Sequence, residues 1–118
     1  MKRVYIAGKL NSDAVGYIKN VHAMIKTAEA VRRKGFAVLI PCLDLLSGLV
    51  FGTYEYEDYF NNNQEFLKVC DAVFVCPNSE ASLGTKMEID LAHKLGIPVF
   101  HHLESMIEDL IEKKEEVF

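Results

Sequence analysis

Cysteine is scarce in this chain, and its spacing builds nothing. Cys42, Cys70 and Cys76 form no CxxC pair and no metal-ligand spacing, so no metal site is expected. An odd count without a secretion signal points to reduced thiols in the cytoplasm, with Cys70 and Cys76 filling space as small hydrophobes. Long apolar runs are missing too. The opening Met1-Lys-Arg-Val-Tyr-Ile-Ala-Gly8 has no apolar stretch of signal-peptide length, and no segment approaches bilayer length, so no membrane partner is expected. Basic residues are outnumbered, 13 Lys and Arg against 17 Asp and Glu, for a net charge of −4. The cluster Arg32-Arg33-Lys34 sits where a helix ends and suits its dipole, so a nucleic-acid polymer is not an expected partner. A GxGxxG fingerprint and a P-loop lysine motif are both absent, and no cofactor is expected.

What remains is the composition of a globular protein: half of the 118 residues are hydrophobic and a quarter are charged. That length supports one core, hence a single domain over residues 1–118. Val4 to Ala7, Phe36 to Ile40, Asp71 to Cys76 and Ile97 to Phe100 read as short buried strands, closed by Gly8, Pro41 and Pro77 or entered past Gly96. Between them lie helical patterns. Val21, Met24, Ile25, Ala28 and Val31 recur at three and four within residues 13–34, and Gly35 ends that helix. Tyr56, Tyr59, Phe60, Phe66, Leu67 and Cys70 suggest a second helix, through the weakly helical Asn61-Asn62-Asn63. Met87, Leu91 and Leu95 suggest the buried side of a third, and Ser105 to Glu116 a polar last one. Residues 41–54 carry little pattern and read as a loop.

The order β-α-β-α-β-α-β-α requires parallel strands with right-handed crossovers and helices on both faces. The expected fold is α/β, a flavodoxin- or Rossmann-like three-layer domain with a four-stranded parallel sheet in the order 2-1-3-4. Ligands of such sheets bind beyond the carboxyl ends of the strands, at the switch point between the first and third. This nominates the segments after Gly8, from Pro77 to Thr85, and after Phe100.

Ser82-Leu-Gly-Thr-Lys-Met-Glu88 runs from such a loop into a helix. Helix starts carry unpaired N–H groups and favour anions. Ser82 and Thr85 add hydroxyls, Gly84 lets a ligand approach the backbone, and Glu88 sits one turn in. Two roles are open to Glu88: a carboxylate facing the ligand crevice, or the far end of a Thr85-x-x-Glu88 capping box. At the end of the first strand Tyr5 offers a hydroxyl or simply a core ring. Gly8 opens a turn, and Lys9 offers a charge for phosphate or stays on the surface. His101 and His102 follow the fourth strand, either at the ligand edge or solvated.

Taken together, three stretches resemble the nucleoside 2-deoxyribosyltransferase superfamily, which includes 2′-deoxynucleoside 5′-phosphate N-hydrolases and small bacterial and phage relatives. They are Val4-Tyr-Ile-Ala-Gly8, Asp71-Ala-Val-Phe-Val, and Ser82-x-Gly84-x-x-x-Glu88-x-x-x-Ala92-x-x-x-Gly96-x-Pro98-Val99. The resemblance implies that Glu88 is the nucleophile at C1′ of a sugar, with Tyr5 beside it. It implies that Ser82, where transferases tend to carry an aspartate for a free 5′-hydroxyl, receives a 5′-phosphate. The implied function is cleavage or exchange of the N-glycosidic bond of a nucleoside or its 5′-monophosphate, in a homodimer or larger homo-oligomer. Asn63 stands where the resemblance leads one to expect an aspartate serving the leaving base; Asp58 and Glu65 are the acids nearby. An amide can still hydrogen-bond a base or steady Glu88. The alternative function is a non-catalytic nucleotide-binding or sequestering module of the same fold. A structural domain without a ligand is a third reading.

Overall fold

The computed structural model describes residues 1–112. Strand β1 (Arg3–Ala7) leads into α1 (Ala14–Arg32), β2 (Ala37–Leu39), a 3-10 turn (Pro41–Asp44), α2 (Leu45–Phe51) and α3 (Tyr56–Leu67). Then follow β3 (Ala72–Val75), α4 (Leu83–Lys94), β4 (Val99–Phe100) and α5 (Leu103–Leu110). All strand pairs are parallel and the sheet runs β2-β1-β3-β4, the α/β order expected from the alternation of strands and helices.

Successive strand residues face opposite ways, and here that divides the interior in two. Val4, Ile6, Ala72 and Phe74 pack with Met24, Ala28 and Val31 of α1 and Met106 of α5. Tyr5, Ala7, Val73 and Val75 face the other layer, with Leu67 of α3 and Ala92 of α4. Tyr5 is therefore presented to α4 by its place in the alternation. It is fully buried.

Several local expectations need correction. Residues 41–54 are not a loop: Pro41, which lacks an N–H to lose, starts the 3-10 turn, and α2 follows directly. Helix α2 buries none of its residues, which is why no buried periodicity marks it. Ile25 of α1 is exposed, while Val21 packs beside the core. On α4 the fully buried residues are Thr85 and Ala92. Leu91 only borders the core and Leu95 is exposed. The inward stripe is thus 85-88-92, built of small or polar residues and masked by larger apolar neighbours. Cys76 is buried but Cys70 only half so. The last helix ends at Leu110, and the expected continuation beyond residue 112 lies outside the described residues.

Candidate active site

Glu88 lies on the inward stripe of α4, three residues after Thr85 and four before Ala92, so its side chain is directed at the sheet. There the Tyr5 hydroxyl donates to Glu88 Oε2. This contact crosses 83 residues of sequence and settles the two open roles. The N-cap of α4 is Ser82, whose Oγ accepts the Thr85 N–H at 3.3 Å. Thr85 is the third helical residue and not a cap, so the Thr85-x-x-Glu88 capping box does not exist. Glu88 is engaged across the fold.

The surroundings tune this carboxyl. Burial pushes Glu88 up to about 7, against the opposing pull of the Tyr5 hydrogen bond. The Tyr5 phenol is itself pushed far up, by burial first and then by the Glu88 charge; it remains a neutral donor. Tyr5→Phe is therefore expected to move the Glu88 titration upward from about 7. Carboxyl carbon shifts followed by NMR against pH would check it, and an unmoved titration would mean that the hydrogen bond carries no weight.

Glu88 opens on a cavity of about 490 Å³ at the carboxyl ends of β1 and β3, within the roughly 300–1,000 Å³ typical of small-molecule sites. Gly8, Ser82, Gly84 and Asn63 also line it, so five of the expected site residues meet there. Gly8 is a close approach. A Cβ at this position would fall 2.9 Å from Cys76 Sγ and 3.2 Å from Met24 Cε, so any larger residue would shift the mouth of β1. The cavity lining excludes the other three. Tyr5 stands behind Glu88. Thr85 is fully buried, and its Oγ1 has no partner. Lys9 is exposed, and only its backbone N–H is held, by Ser79 Oγ at 3.0 Å. His101 and His102 are exposed and also lie outside the cavity lining, with His102 at the N-cap position of α5 but making no side-chain cap bond.

Part of the remaining lining comes from the stretch that carries least pattern. Asp44, at the junction of the 3-10 turn and α2, lines the cavity together with Tyr17, Tyr59 and Phe60. Asn63 Nδ2 donates to Asp44 Oδ2 at 3.0 Å. Burial raises the Asp44 carboxyl, opposed by the Asn63 bond. The other acids are occupied elsewhere. Asp58 accepts the Glu55 N–H at 2.8 Å in the capping box of α3, and Glu65 pairs with Lys68 on the surface. A second hollow of about 440 Å³ adjoins the first through Asp44 and Tyr59. Tyr59 fits against Gly48 of α2, where a Cβ would collide with its hydroxyl oxygen at 1.7 Å. Sequence reasoning missed Asp44 and these aromatics; an Asp directly before an uncharged helix is a faint signal.

Residues 2–101 match the family model described as a domain of unknown function, DUF4406. The chain belongs to that family. No curated protein matches it significantly. In this DUF4406 domain, among the described residues, no three His, Cys, Asp or Glu side chains gather as a metal site. Nor is any described helix long and apolar enough to cross a membrane.

Proposed function

We propose that this domain cleaves or exchanges the N-glycosidic bond of a nucleoside 5′-monophosphate or nucleoside, in keeping with its resemblance to the nucleoside 2-deoxyribosyltransferase superfamily. One observation carries the reading: the Glu88 carboxyl faces a ligand-sized cavity at the switch point, held by a tyrosine from the neighbouring strand.

In this reading the ionised Glu88 carboxylate attacks C1′ as the C1′–N bond breaks, and the bond's electron pair leaves with the base. Positive charge grows on the sugar ring in the transition state, and a carboxylate beneath it stabilises that charge. Water then attacks C1′ as the C1′–O bond to Glu88 breaks, and the proton it loses balances the one the departed base takes up; a second base attacking instead gives transfer and passes its own N–H proton on in the same way. Tyr5 keeps the carboxylate aimed and favours its charged form. The start of α4, with Gly84 open to the cavity, supplies backbone N–H groups for a 5′-phosphate. Ser82 already accepts from Thr85; its hydroxyl hydrogen is what remains for a phosphate oxygen.

The test is incubation of the pure protein with nucleosides and their 5′-monophosphates, followed by chromatography for free base. Release from the monophosphates supports the reading, and a full panel without base release removes it. The alternative, a non-catalytic nucleotide-binding or sequestering module, draws on Asn63, an amide where an acid is expected. It predicts tight nucleotide binding without turnover.

The same proposal includes self-association. Leu46, Leu49, Val50 and Phe51 are 67–78 % exposed on a helix without a charge, a patch that a monomer rarely leaves open. Lacking charge, it meets a copy of itself without repulsion. Sedimentation is expected to give a mass of at least twice 13.3 kDa, and a Val50→Glu, Phe51→Glu double variant is expected to return to the single-chain mass. A wild-type monomer at micromolar concentration would sink this part.

A further inference from the structure

We propose that Asp44 selects the base, by accepting a hydrogen bond from the exocyclic amino group of an amino-bearing nucleobase such as adenine or cytosine. The inference rests on the glycosidic reading above and deepens it.

Asp44 is a carboxylate with little to do in the fold. It occupies the N-cap position of α2, yet its side chain accepts no capping hydrogen bond from that helix. No salt bridge holds it among the described residues, and the one side chain that donates to it is Asn63, through Oδ2. A half-buried carboxylate held by the Asn63 amide and by its own backbone N–H retains acceptor capacity toward the cavity it lines. Asn63 is then a positioning residue: it fixes the carboxylate and favours its charged form.

The neighbours specify the ligand. Tyr17, Tyr59 and Phe60 line the same cavity and offer flat apolar faces to a planar ring. The cavity holds two carboxyls on separate elements, Glu88 on α4 and Asp44 at the junction of the 3-10 turn with α2. With Glu88 committed to the sugar in the glycosidic reading, Asp44 is the carboxylate left for the base. An ionised carboxylate accepts from an amino group and repels a keto oxygen, which presents lone pairs where a hydrogen is needed. Hypoxanthine and uracil carry keto oxygens where adenine and cytosine carry amino groups.

The experiment compares kcat/KM and calorimetric affinity for two pairs of 2′-deoxynucleoside 5′-monophosphates: adenine against hypoxanthine, and cytosine against uracil. The wild type is expected to favour the amino member of each pair by about 10-fold or more. Asp44→Asn, nearly the same shape but able to donate, is expected to erase or reverse that preference with an unchanged Tm. Asn63→Ala is expected to weaken it. Equal treatment of both members by the wild type overturns the proposal, and so does a preference that Asp44→Asn retains. Selective binding without any base release would remove the glycosidic reading and keep the Asp44 assignment. Absence of binding by all four nucleotides would remove both.

Discussion

Glu88→Gln is expected to lower base release by about 10³-fold or more, the scale on which loss of a covalent nucleophile is felt. The amide keeps the size of the carboxyl and can still accept from the Tyr5 hydroxyl, so nucleotide binding should persist. The same substitution has a second, opposite signature in stability. The folded chain holds the Glu88 proton up to about 7, against an ordinary value of 4.5. Between those values the folded state binds more protons than the unfolded one, so the contribution of this group to stability falls as pH rises through the window. Above about pH 7 the charged carboxylate in its crevice costs about 3 kcal/mol, a cost that the neutral amide does not carry. The variant should therefore melt higher than the wild type at pH 8, and about equally at pH 4.5. Activity of the wild type should climb as pH rises through 7, as the nucleophile ionises. Retained turnover in the variant would remove the mechanism, and a lower Tm at pH 8 would contradict the burial argument.

Leu67→Ala is expected to destabilise the domain by about 2–5 kcal/mol, the range for truncating a fully buried leucine. The expectation has a functional edge. Leu67 is the one buried residue of α3 and packs in the cluster that contains Tyr5. Tyr59, Phe60 and Asn63, which form one wall of the cavity, ride on the same helix. Truncation should loosen that wall along with the core, so nucleotide affinity should fall with stability. Urea unfolding and titration calorimetry on the same preparation would check both. A loss below about 1 kcal/mol would mean that α3 is anchored by something other than this side chain.

Much of the framework was legible from residue patterns because it rests on short-range rules. Alternation along Val4 to Ala7 separates two faces, and Gly35, expected to end α1, follows it with a left-handed backbone at φ +100°. The stretch from Ser82 to Glu88 pointed at the crevice for sound reasons, though the cap fell on Ser82 and not Thr85. What escaped has a common cause. Helix α2 presents its apolar residues outward, so the usual link between hydrophobic period and burial is broken there. The inward stripe of α4 is Thr, Glu and Ala, whose burial is decided by the sheet opposite and not by their own hydrophobicity. Asp44 meets Asn63 across 19 residues, a pairing that belongs to the packing of the 3-10 turn against α3.

The seat of Tyr59 has a consequence of its own. Its ring is the partition between two adjoining hollows, and it stands where it does because Gly48 offers no methyl to push it aside. A relative with alanine at that position would have to turn the phenol away, joining the chambers or narrowing one of them. The dimensions of the binding space are thus governed by a hydrogen atom on a neighbouring helix, remote from the acid that would do the chemistry.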